Sequence, residues 1–259
     1  RPMTGAEVMI ATHQLGREFA GKWAVRGLDL AIRRGELYGF LGQNGAGKTT
    51  TLRMLTGLLR PSAGALRIAG LDPRRDGRAI KQLLAFVPDT PPLYDYLTGR
   101  QYVALVASLW RVDRKARDER SERLFPLLGL QESADELCKG YSHGTRKKLH
   151  IAAVLTTAPQ VLLLDEPSSG LDPLSTRRLK DLLLEEVARG TTVMLSTHVL
   201  EIAEQICHRV GILANGSLRA EGTVPELRLR HGNRSFEDVF LSTTVTGPLP
   251  GTHDGTAAS

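Results

Sequence analysis

The stretch Gly42-Gln43-Asn44-Gly45-Ala46-Gly47-Lys48-Thr49-Thr50 contains the pattern glycine, four residues, glycine, lysine and threonine. An apolar run at 37–41 precedes it as a buried strand would, and leucines follow it at helical spacing. Strand, loop and helix in this order are the setting of a phosphate-binding loop, which is favoured over a glycine-rich turn before an ordinary helix. The stretch therefore predicts a site for nucleotide phosphates.

The chemistry of this loop follows from its residue types. Glycines let the backbone turn its N–H groups inward, and the start of the helix adds the positive end of its dipole. Lys48 would reach the β- and γ-phosphates, and the Thr49 hydroxyl would bind Mg²⁺, which prefers oxygen ligands shared with phosphate. The predicted nucleotide-binding residues of the loop are Gly42, Asn44, Gly45, Ala46, Gly47, Lys48, Thr49 and Thr50.

Size and composition predict a globular, cytosolic protein. At 259 residues and 41% hydrophobic content, the chain is expected to form one large domain or two coupled lobes. It contains no run of about 18 apolar residues, and residues 1–11 lack the apolar segment of a secretion signal. Cys138 and Cys207 are far apart in sequence, which favours reduced thiols in packing positions over a disulfide framework or a zinc site.

The charge balance alone does not choose a partner. A net charge of +6 and a pI near 9.5 fit nucleic acid, an anionic membrane surface or a polyanionic nucleotide. The basic residues are dispersed and aromatic residues make up only 5%, so no stacking platform for single-stranded nucleic acid is evident. A solvated basic face is the default interpretation.

The segment before the loop predicts a small antiparallel sheet. Residues 8–32 alternate apolar and polar positions in short runs. The predicted breaks between the runs are Gly16, Gly21 and Gly27. Phe19 and Trp23 also lie here, and each could stack on an adenine base or pack into the sheet.

The middle of the chain is predicted to become helical. A turn at 61–64, a strand at 66–70, a turn at 72–73 and an apolar run at 84–87 follow the first helix, and prolines stop that run. From Thr98, an expected N-cap, apolar residues recur at helical spacing. A second apolar set ends at Gly129, and a charged, capped segment covers 133–139. We interpret residues 93–155 as an inserted helical lobe.

The last third predicts a parallel crossover. Residues 161–164 are apolar at every position, as in a strand covered on both faces, and lead to Asp165 and Glu166. A helical pattern and a second strand at 193–197 follow, and this strand leads to His198. Residues 210–222 predict a closing hairpin. Residues 242–259 are expected to form a disordered tail.

Three polar residues end these two strands, at the edge where parallel sheets bind ligands. Asp165 is placed to complete the Mg²⁺ coordination sphere. Glu166, where the strand leaves the sheet, is placed to polarise the attacking water as a general base. His198 could contact a γ-phosphate oxygen; a lone histidine is more often structural, but its position at a strand end favours the functional role.

A second anion site is indicated just before the helical pattern at 146–155. Ser142 can donate from its hydroxyl, Gly144 lets the backbone approach an anion, and the helix start adds its dipole. Serine and glycine before a helix are also ordinary capping residues, so this signal is weak by itself.

In this order and spacing, residues 8–241 resemble the nucleotide-binding subunit of ATP-binding cassette (ABC) transporters. A loose signature at 141–145 and the sequence at 236–240 resemble the ABC-2 type branch that exports drugs and antibiotics. Residues 42–49 match the Walker A loop, 161–165 the Walker B strand and 169–172 the D-loop. Glu166 matches the catalytic glutamate, His198 the switch histidine and Phe19 the adenine-stacking aromatic. The nucleotide-binding signature is matched by Ser142, Gly144 and Thr145.

The resemblance implies an α/β fold with a phosphate-loop NTPase (RecA-like) core and a parallel sheet. An N-terminal antiparallel β-subdomain and an inserted helical subdomain would complete it. The implied ATPase domain covers 1–241, with its core at 1–92 and 156–241 and its helical subdomain at 93–155. The tail at 242–259 lies outside that domain.

The resemblance also implies a mechanism and partners. ATP and Mg²⁺ would be sandwiched in a head-to-tail dimer with a second copy or a paralogous ATPase, and hydrolysis would power a separate transmembrane permease. The chain would then lie in the cytoplasm, peripheral at the inner face of the cell membrane. No direct membrane insertion and no binding of nucleic acid are expected.

Two departures from the family pattern affect site residues. Asp89 stands where the family has the Q-loop glutamine, a ligand that couples Mg²⁺ to the membrane partner. A carboxylate can still approach Mg²⁺, although it is charged and shorter, so Asp89 joins Thr49 and Asp165 as a candidate metal ligand. Thr145 replaces the last glutamine of the signature, which leaves the roles of Ser142 and Gly144 intact.

Two other functions remain open at this point. A soluble ABC-type ATPase acting on nucleic acid or ribosomes usually carries paired cassettes or long coiled coils, and this sequence shows neither. A regulatory module that binds ATP without hydrolysing it is disfavoured by four intact residues, Lys48, Asp165, Glu166 and His198. The preferred hypothesis is the ATPase of a membrane exporter.

Overall fold

The computed structural model describes residues 7–244, and within that range nine strands and nine α-helices form an α/β fold. The strands are β1 (Val8–Phe19), β2 (Lys22–Arg33), β3 (Leu37–Leu41), β4 (Ala63–Ile68), β5 (Leu84–Val87), β6 (Val161–Asp165), β7 (Thr192–Thr197), β8 (Arg209–Ala214) and β9 (Ser217–Gly222). The helices are α1 (Lys48–Leu55), α2 (Pro73–Leu83), α3 (Gly99–Leu109), α4 (Arg114–Leu128), α5 (His143–Thr156), α6 (Pro173–Ala188), α7 (Leu200–Ile206), α8 (Val224–Arg230) and α9 (Phe236–Thr244).

A six-stranded sheet in the order β5-β6-β7-β3-β8-β9 forms the centre of the fold. Neighbouring strands are parallel except β8 and β9, which form the predicted hairpin. In β6, Val161 and Leu163 pack in one apolar cluster, while Leu162 and Leu164 pack in another. Both faces of the sheet are therefore covered, which explains the continuous apolar run. The predicted parallel crossover and the phosphate-loop fold class are confirmed.

The small antiparallel sheet predicted for 8–32 is also confirmed, and β4 joins it in the order β2-β1-β4. Its predicted breaks are partly wrong, because only Gly21 lies in a turn between strands. Gly16 and Gly27 lie inside β1 and β2, at a shift of register between the two strands. A bulge at this point accommodates the positive φ of Gly27, so the strands continue through both glycines.

The predicted helical segment at 93–155 contains α3, α4 and all but the last residue of α5. Thr98 caps α3 as predicted, in a reciprocal capping box with Gln101. Gly129 ends α4 in the left-handed conformation that glycine adopts most readily. Because both caps are formed by residues next to the helix ends, local sequence signals were sufficient to predict where α3 begins and α4 ends. The division of the chain into a core and a helical subdomain stays a prediction.

The capped helical segment predicted at 133–139 is wrong. This part of the chain forms turns and a short 3₁₀ helix at Cys138–Gly140. The N–H of Cys138 donates to the carbonyl of Leu97, and the N–H of Lys139 donates to the carbonyl of Asp95. The segment is therefore held by the chain that leads into α3 as well as by its own turn and 3₁₀ hydrogen bonds.

Four helices, α2, α7, α8 and α9, were not predicted. The turn predicted at 72–73 is the start of α2, where the Asp72 side chain accepts the N–H of Arg74 and Pro73 takes the first helical position. Residues 242–244, predicted as part of a disordered tail, are the last turn of α9, because this helix buries an apolar face led by Phe240. The rest of the predicted tail lies outside the described residues.

Both cysteines are free thiols, in agreement with the prediction. Cys138 is buried, and burial raises the pKa of the Cys207 thiol to about 12. Among residues 7–244, no helix combines the length and the apolar content needed to cross a bilayer.

His150 joins three elements of the fold. Its Nδ1 lies 2.7 Å from the Tyr102 hydroxyl of α3, and its Nε2 lies 3.3 Å from the carbonyl oxygen of Phe86 in β5. A neutral ring with its proton on Nε2 satisfies both contacts, because Nε2–H donates and Nδ1 accepts. Burial lowers the pKa of His150 to about 4, so the ring stays neutral in the folded protein.

We predict that His150 makes the fold sensitive to mild acid. An unfolded histidine has a pKa of about 6.5, so the stability that the neutral ring contributes is complete above that pH and is lost progressively as the pH falls from there through the folded-state pKa of about 4. The His150→Gln variant should lose less unfolding free energy between pH 7.5 and 4.5 than the unmodified chain, by on the order of 3 kcal/mol.

Urea unfolding at several pH values measures this difference. His13→Gln is the matched control, since the His13 side chain is 84% exposed. An identical pH dependence for the His150→Gln variant and the unmodified chain would contradict the prediction.

Candidate functional site

The predicted phosphate loop joins β3 to α1 in a concave turn of backbone. Gly45 and Gly47 have positive φ angles of 81° and 109°. A Cβ atom on Gly42 would lie 2.6 Å from the carbonyl oxygen of Leu213, and one on Gly47 would lie 2.6 Å from that of Ala24. Because Gly47 is the N-cap of α1, no side chain covers the first N–H groups of this helix, an arrangement that suits an anion.

The remaining loop residues surround this turn. Asn44 is exposed and Thr50 is half-buried. Ala46 is buried, and its carbonyl accepts the N–H of Gly216 in the β8–β9 turn. A backbone hydrogen bond from the hairpin therefore helps to fix the loop.

Lys48 places a positive charge over the loop. Its side chain is only 6% exposed, and Nζ donates to the carbonyl oxygen of Gly42 at 2.6 Å. The same Nζ lies 3.3 Å from Oε1 of Glu166. A buried ammonium between the loop backbone and a carboxylate is suited to bind phosphate oxygens.

Asp165 connects α1 to two strands. Its side chain is 2% exposed, and Oδ2 accepts a 2.8 Å hydrogen bond from the Thr49 hydroxyl. Its Oδ1 accepts a second hydrogen bond from the Ser196 hydroxyl of β7. The register of the sheet causes this meeting, since Ser196 lies opposite Asp165 on one side and Phe40 on the other.

The Thr49 and Asp165 oxygens fit Mg²⁺. Both are hard donors, they lie next to the phosphate loop, and Mg²⁺ commonly takes only one or two protein oxygens while phosphate and water supply the rest. Among the described residues, no group of three or more His, Cys, Asp or Glu side chains forms a separate metal site. The arrangement therefore suits a metal held jointly with a nucleotide.

Glu166 adopts an unusual backbone conformation directly after β6. Its φ angle is +46°, and its N–H donates to the carbonyl oxygen of Ser196 at 3.0 Å. Oε2 lies 3.0 Å from Nδ1 of His198, while Oε1 faces Lys48. Both carboxylate oxygens are buried without a hydrogen bond of acceptable geometry. The Lys48 ammonium and the His198 ring thus flank a carboxylate that makes no well-formed hydrogen bond of its own.

The predicted signature residues lie at the start of α5. Ser142 is the N-cap, and its Oγ accepts the N–H of Thr145 and lies 2.8 Å from the Thr145 hydroxyl. A Cβ atom on Gly144 would lie 2.8 Å from the carbonyl oxygen of Gly170. The side-chain hydrogen bonds of Ser142 and Thr145 stay within this helical turn. Their predicted role toward a nucleotide stays a prediction.

Asp172, in the segment that resembles the D-loop, caps α6. It accepts hydrogen bonds from the Ser175 N–H and hydroxyl. These bonds hold the pKa of the Asp172 carboxyl below its usual range. The Asp172 carboxylate therefore acts as the N-cap of α6.

Phe19 and Trp23 are both accessible aromatic residues. Phe19 is 45% exposed, and the guanidinium of Arg17 lies 4.6 Å from its ring centroid. Trp23 is 37% exposed and packs over Gly16, where a Cβ atom would lie 2.8 Å from the indole ring. Trp23 thus packs against the backbone of the sheet at Gly16. The adenine-stacking role of Phe19 stays a prediction.

Asp89 is paired with a residue that the sequence reasoning missed. Its Oδ1 accepts a 2.9 Å hydrogen bond from Nζ of Lys147, which lies in α5. The predicted role of Asp89 as a metal ligand is not tested by this contact. Lys147 shares a helix face with the buried residues Ile151 and Val154. A charged residue on an apolar helix face was therefore the sequence signal that could have identified Lys147. Ser196 was missed as well, although it is a polar residue at the end of an apolar strand.

Comparisons with known proteins agree with this geometry. The ABC transporter family matches residues 25–169. The daunorubicin resistance ATP-binding protein of Streptomyces coeruleorubidus is 37% identical over 235 residues, which cover 91% of this chain and 74% of that protein.

Solved structures give the same result. The ATP-binding subunit of an ABC transporter superposes with a TM-score of 0.86 at 28% identity, covering 91% of this chain and 99% of that structure. The cbiO1 protein of Clostridium perfringens, part of the ABC transporter complex cbiONQ, superposes with a TM-score of 0.73 at 26% identity, covering 86% and 96%.

The resemblance noted in the sequence is therefore confirmed, including its likeness to the branch that exports drugs. The family match spans more than half of the chain, and the phosphate loop, Asp165 and Glu166 meet at one edge of the sheet. This chain therefore belongs to the ABC transporter family as an ATPase domain.

Proposed function

We propose that this chain is the ATP-hydrolysing subunit of an export system whose membrane permease is a separate chain. The cluster at the carboxyl edge of the main sheet carries the proposal, because Lys48, Asp165 and Glu166 meet there around the phosphate loop. The name of the daunorubicin resistance relative supports antibiotics or similar drugs as the exported class.

Hydrolysis requires a positioned water and stabilisation of the charge on the γ-phosphate. Glu166 is the proposed general base, since both of its oxygens are buried and free of well-formed hydrogen bonds. His198 orients this carboxylate from 3.0 Å and is the proposed contact for a γ-phosphate oxygen. Lys48 and the loop N–H groups bind the phosphates. Mg²⁺ held by Thr49 and Asp165 would neutralise charge on the β- and γ-phosphate oxygens.

The proposed assembly is a head-to-tail pair of this chain, or of this chain and a paralogous ATPase. Ser142 is exposed at the start of α5, and the contacts of Ser142, Gly144 and Thr145 in one subunit are with α5 and the segment at Gly170. In a head-to-tail pair they would face the ATP held by the other subunit's loop. ATP would then favour the closed pair, because it contacts both subunits only there, and hydrolysis would remove this preference.

An apolar groove is the proposed docking place for the permease. It has a volume of 740 Å³ and lies between α2, β5 and α3. Leu58, Tyr94 and Leu109 line it and are 70%, 63% and 66% exposed. Large exposed apolar side chains around a groove mark an interaction site. Coupling helices of a permease would cover them and hold the chain at the cytoplasmic face of the membrane, with no insertion of its own.

We predict that Glu166→Gln separates ATP binding from hydrolysis. The amide keeps the size of the side chain but cannot accept a proton, so turnover should fall by about a thousandfold or more. ATP should still promote dimer formation, and more persistently, because the closed state is no longer consumed. Phosphate release and sedimentation with ATP measure the two effects.

Glu132→Gln is the control for this prediction, because Glu132 is exposed and distant from the site in sequence. Turnover at the normal rate in the Glu166→Gln protein would exclude Glu166 as the base.

We predict that Lys48→Ala weakens ATP binding by about a hundredfold, since a buried charge-assisted contact to phosphate is lost. Equilibrium titration with ATP measures the affinity. Lys115→Ala, at a side chain that is 85% exposed, should leave it unchanged. Equal affinity in the Lys48→Ala and Lys115→Ala proteins would argue against phosphate binding at this loop.

A further inference from the structure

Lys147 is the only charged residue in the described part of the chain whose side chain is completely buried. It lies on the inner face of α5. Its Nζ donates to Oδ1 of Asp89 at 2.9 Å, to the carbonyl oxygen of Glu166 at 2.8 Å and to that of Ser169 at 3.1 Å. One ammonium therefore connects α5, the segment after β5 and the segment after β6.

The three contacts match the three protons of an ammonium group. A buried charge is costly unless it is paired and hydrogen-bonded, and removal of one partner leaves the other uncompensated. Asp89 supplies the only carboxylate among the three acceptors. Asp89, whose side chain is half exposed, thus supplies the negative charge that compensates the buried Lys147.

The contact with Glu166 acts on its backbone. A non-glycine residue at a φ of +46° is strained and persists only where neighbouring groups determine its conformation. The Glu166 N–H is held by the carbonyl oxygen of Ser196, and the Glu166 carbonyl accepts hydrogen bonds from Lys147 and from the N–H of Ser169. Both peptide groups of the residue are fixed, and the carboxylate is aimed toward Lys48 and His198 as a consequence.

The contact with Ser169 extends this restraint to the signature region. Gly170 follows with a φ of +75°, and a Cβ atom there would lie 2.7 Å from the ring of His143. Lys147 therefore fixes a segment against which the start of α5 packs closely. The same ammonium stabilises both the base and the surface that the second subunit would use.

We propose that Lys147 is a positioning residue for Glu166 and that Asp89 is the counter-ion of Lys147 rather than a ligand of Mg²⁺. The proposal rests on the proposed role of Glu166 as general base. Asp89 and Lys147 form a charge pair that holds the residue after β6 in its strained conformation. A glutamine at position 89 would be neutral and would leave the buried ammonium without a compensating charge.

The test uses the full chain with Asp89→Asn, Lys147→Gln and the double substitution, each examined without nucleotide by thermal unfolding. Asp89→Asn should lower the unfolding temperature by about 5 °C or more, because it leaves a buried charge unpaired. The double variant should unfold at a higher temperature than Asp89→Asn alone, since neither charge remains. Asp135→Asn is the matched control: it breaks a pair with Arg100 in which the aspartate is 77% exposed and should shift the temperature little.

A Mg²⁺ titration separates the two roles of Asp89. With trinitrophenyl-ATP as the probe, the half-saturating Mg²⁺ concentration for nucleotide binding should be the same for Asp89→Asn and the unmodified chain. A rise of about threefold or more, or an unfolding temperature that does not change, would overturn the proposal.

Turnover distinguishes positioning from general support of the fold. Lys147→Gln should lower kcat by on the order of tenfold to a hundredfold while the dissociation constant for ATP stays constant, because the loop keeps its own contacts. An equal loss in both quantities, or no loss of kcat, would contradict the positioning role. Normal turnover of Glu166→Gln would instead refute the assignment of the base and leave the result for the Asp89–Lys147 charge pair standing.

Discussion

The parallel register of β3, β6 and β7 is the constraint on which the site depends. Ser196 lies opposite Asp165 in one direction and Phe40 in the other, so three strands reach the same edge together. At that edge Asp165 accepts hydrogen bonds from Ser196 and from Thr49 at the start of α1. Apolar packing on both faces fixes the strands, and the strands fix the distance between the phosphate loop and the carboxylates.

Two buried lysines act on Glu166 from different directions. Lys48 faces its carboxylate, whereas Lys147 binds its backbone carbonyl. The contact with Lys48 would change when phosphate binds, because phosphate also attracts the Lys48 ammonium. The contact with Lys147 is part of the folded structure and does not involve the nucleotide. A general base for ATP hydrolysis has to keep its orientation while nucleotide binds and leaves. The hydrogen bond from Lys147 to the Glu166 backbone provides that orientation independently of the nucleotide.

Local chemistry made much of the fold predictable. The glycine pattern at 42–50, the apolar run of β6 and the Asn215-Gly216 turn each specify their structure within a few residues. The contacts of Lys147 could not be predicted in this way, because its acceptors are far away in sequence and meet only after β5 and β6 pair. Helix α9 was missed for a similar reason: its apolar face gains a partner only once β8 is in place.

The central claim is that a complete site forms between two subunits, and mixed subunits test it most directly. One protein carries Lys48→Ala and the other Ser142→Asp, which retains an N-cap but places a negative charge toward phosphate. A head-to-tail pair of the two contains one intact loop facing one intact signature. ATPase activity in the mixture well above the sum of the separate proteins is the expected result. Full activity of the Ser142→Asp protein alone, or no gain on mixing, would contradict the account.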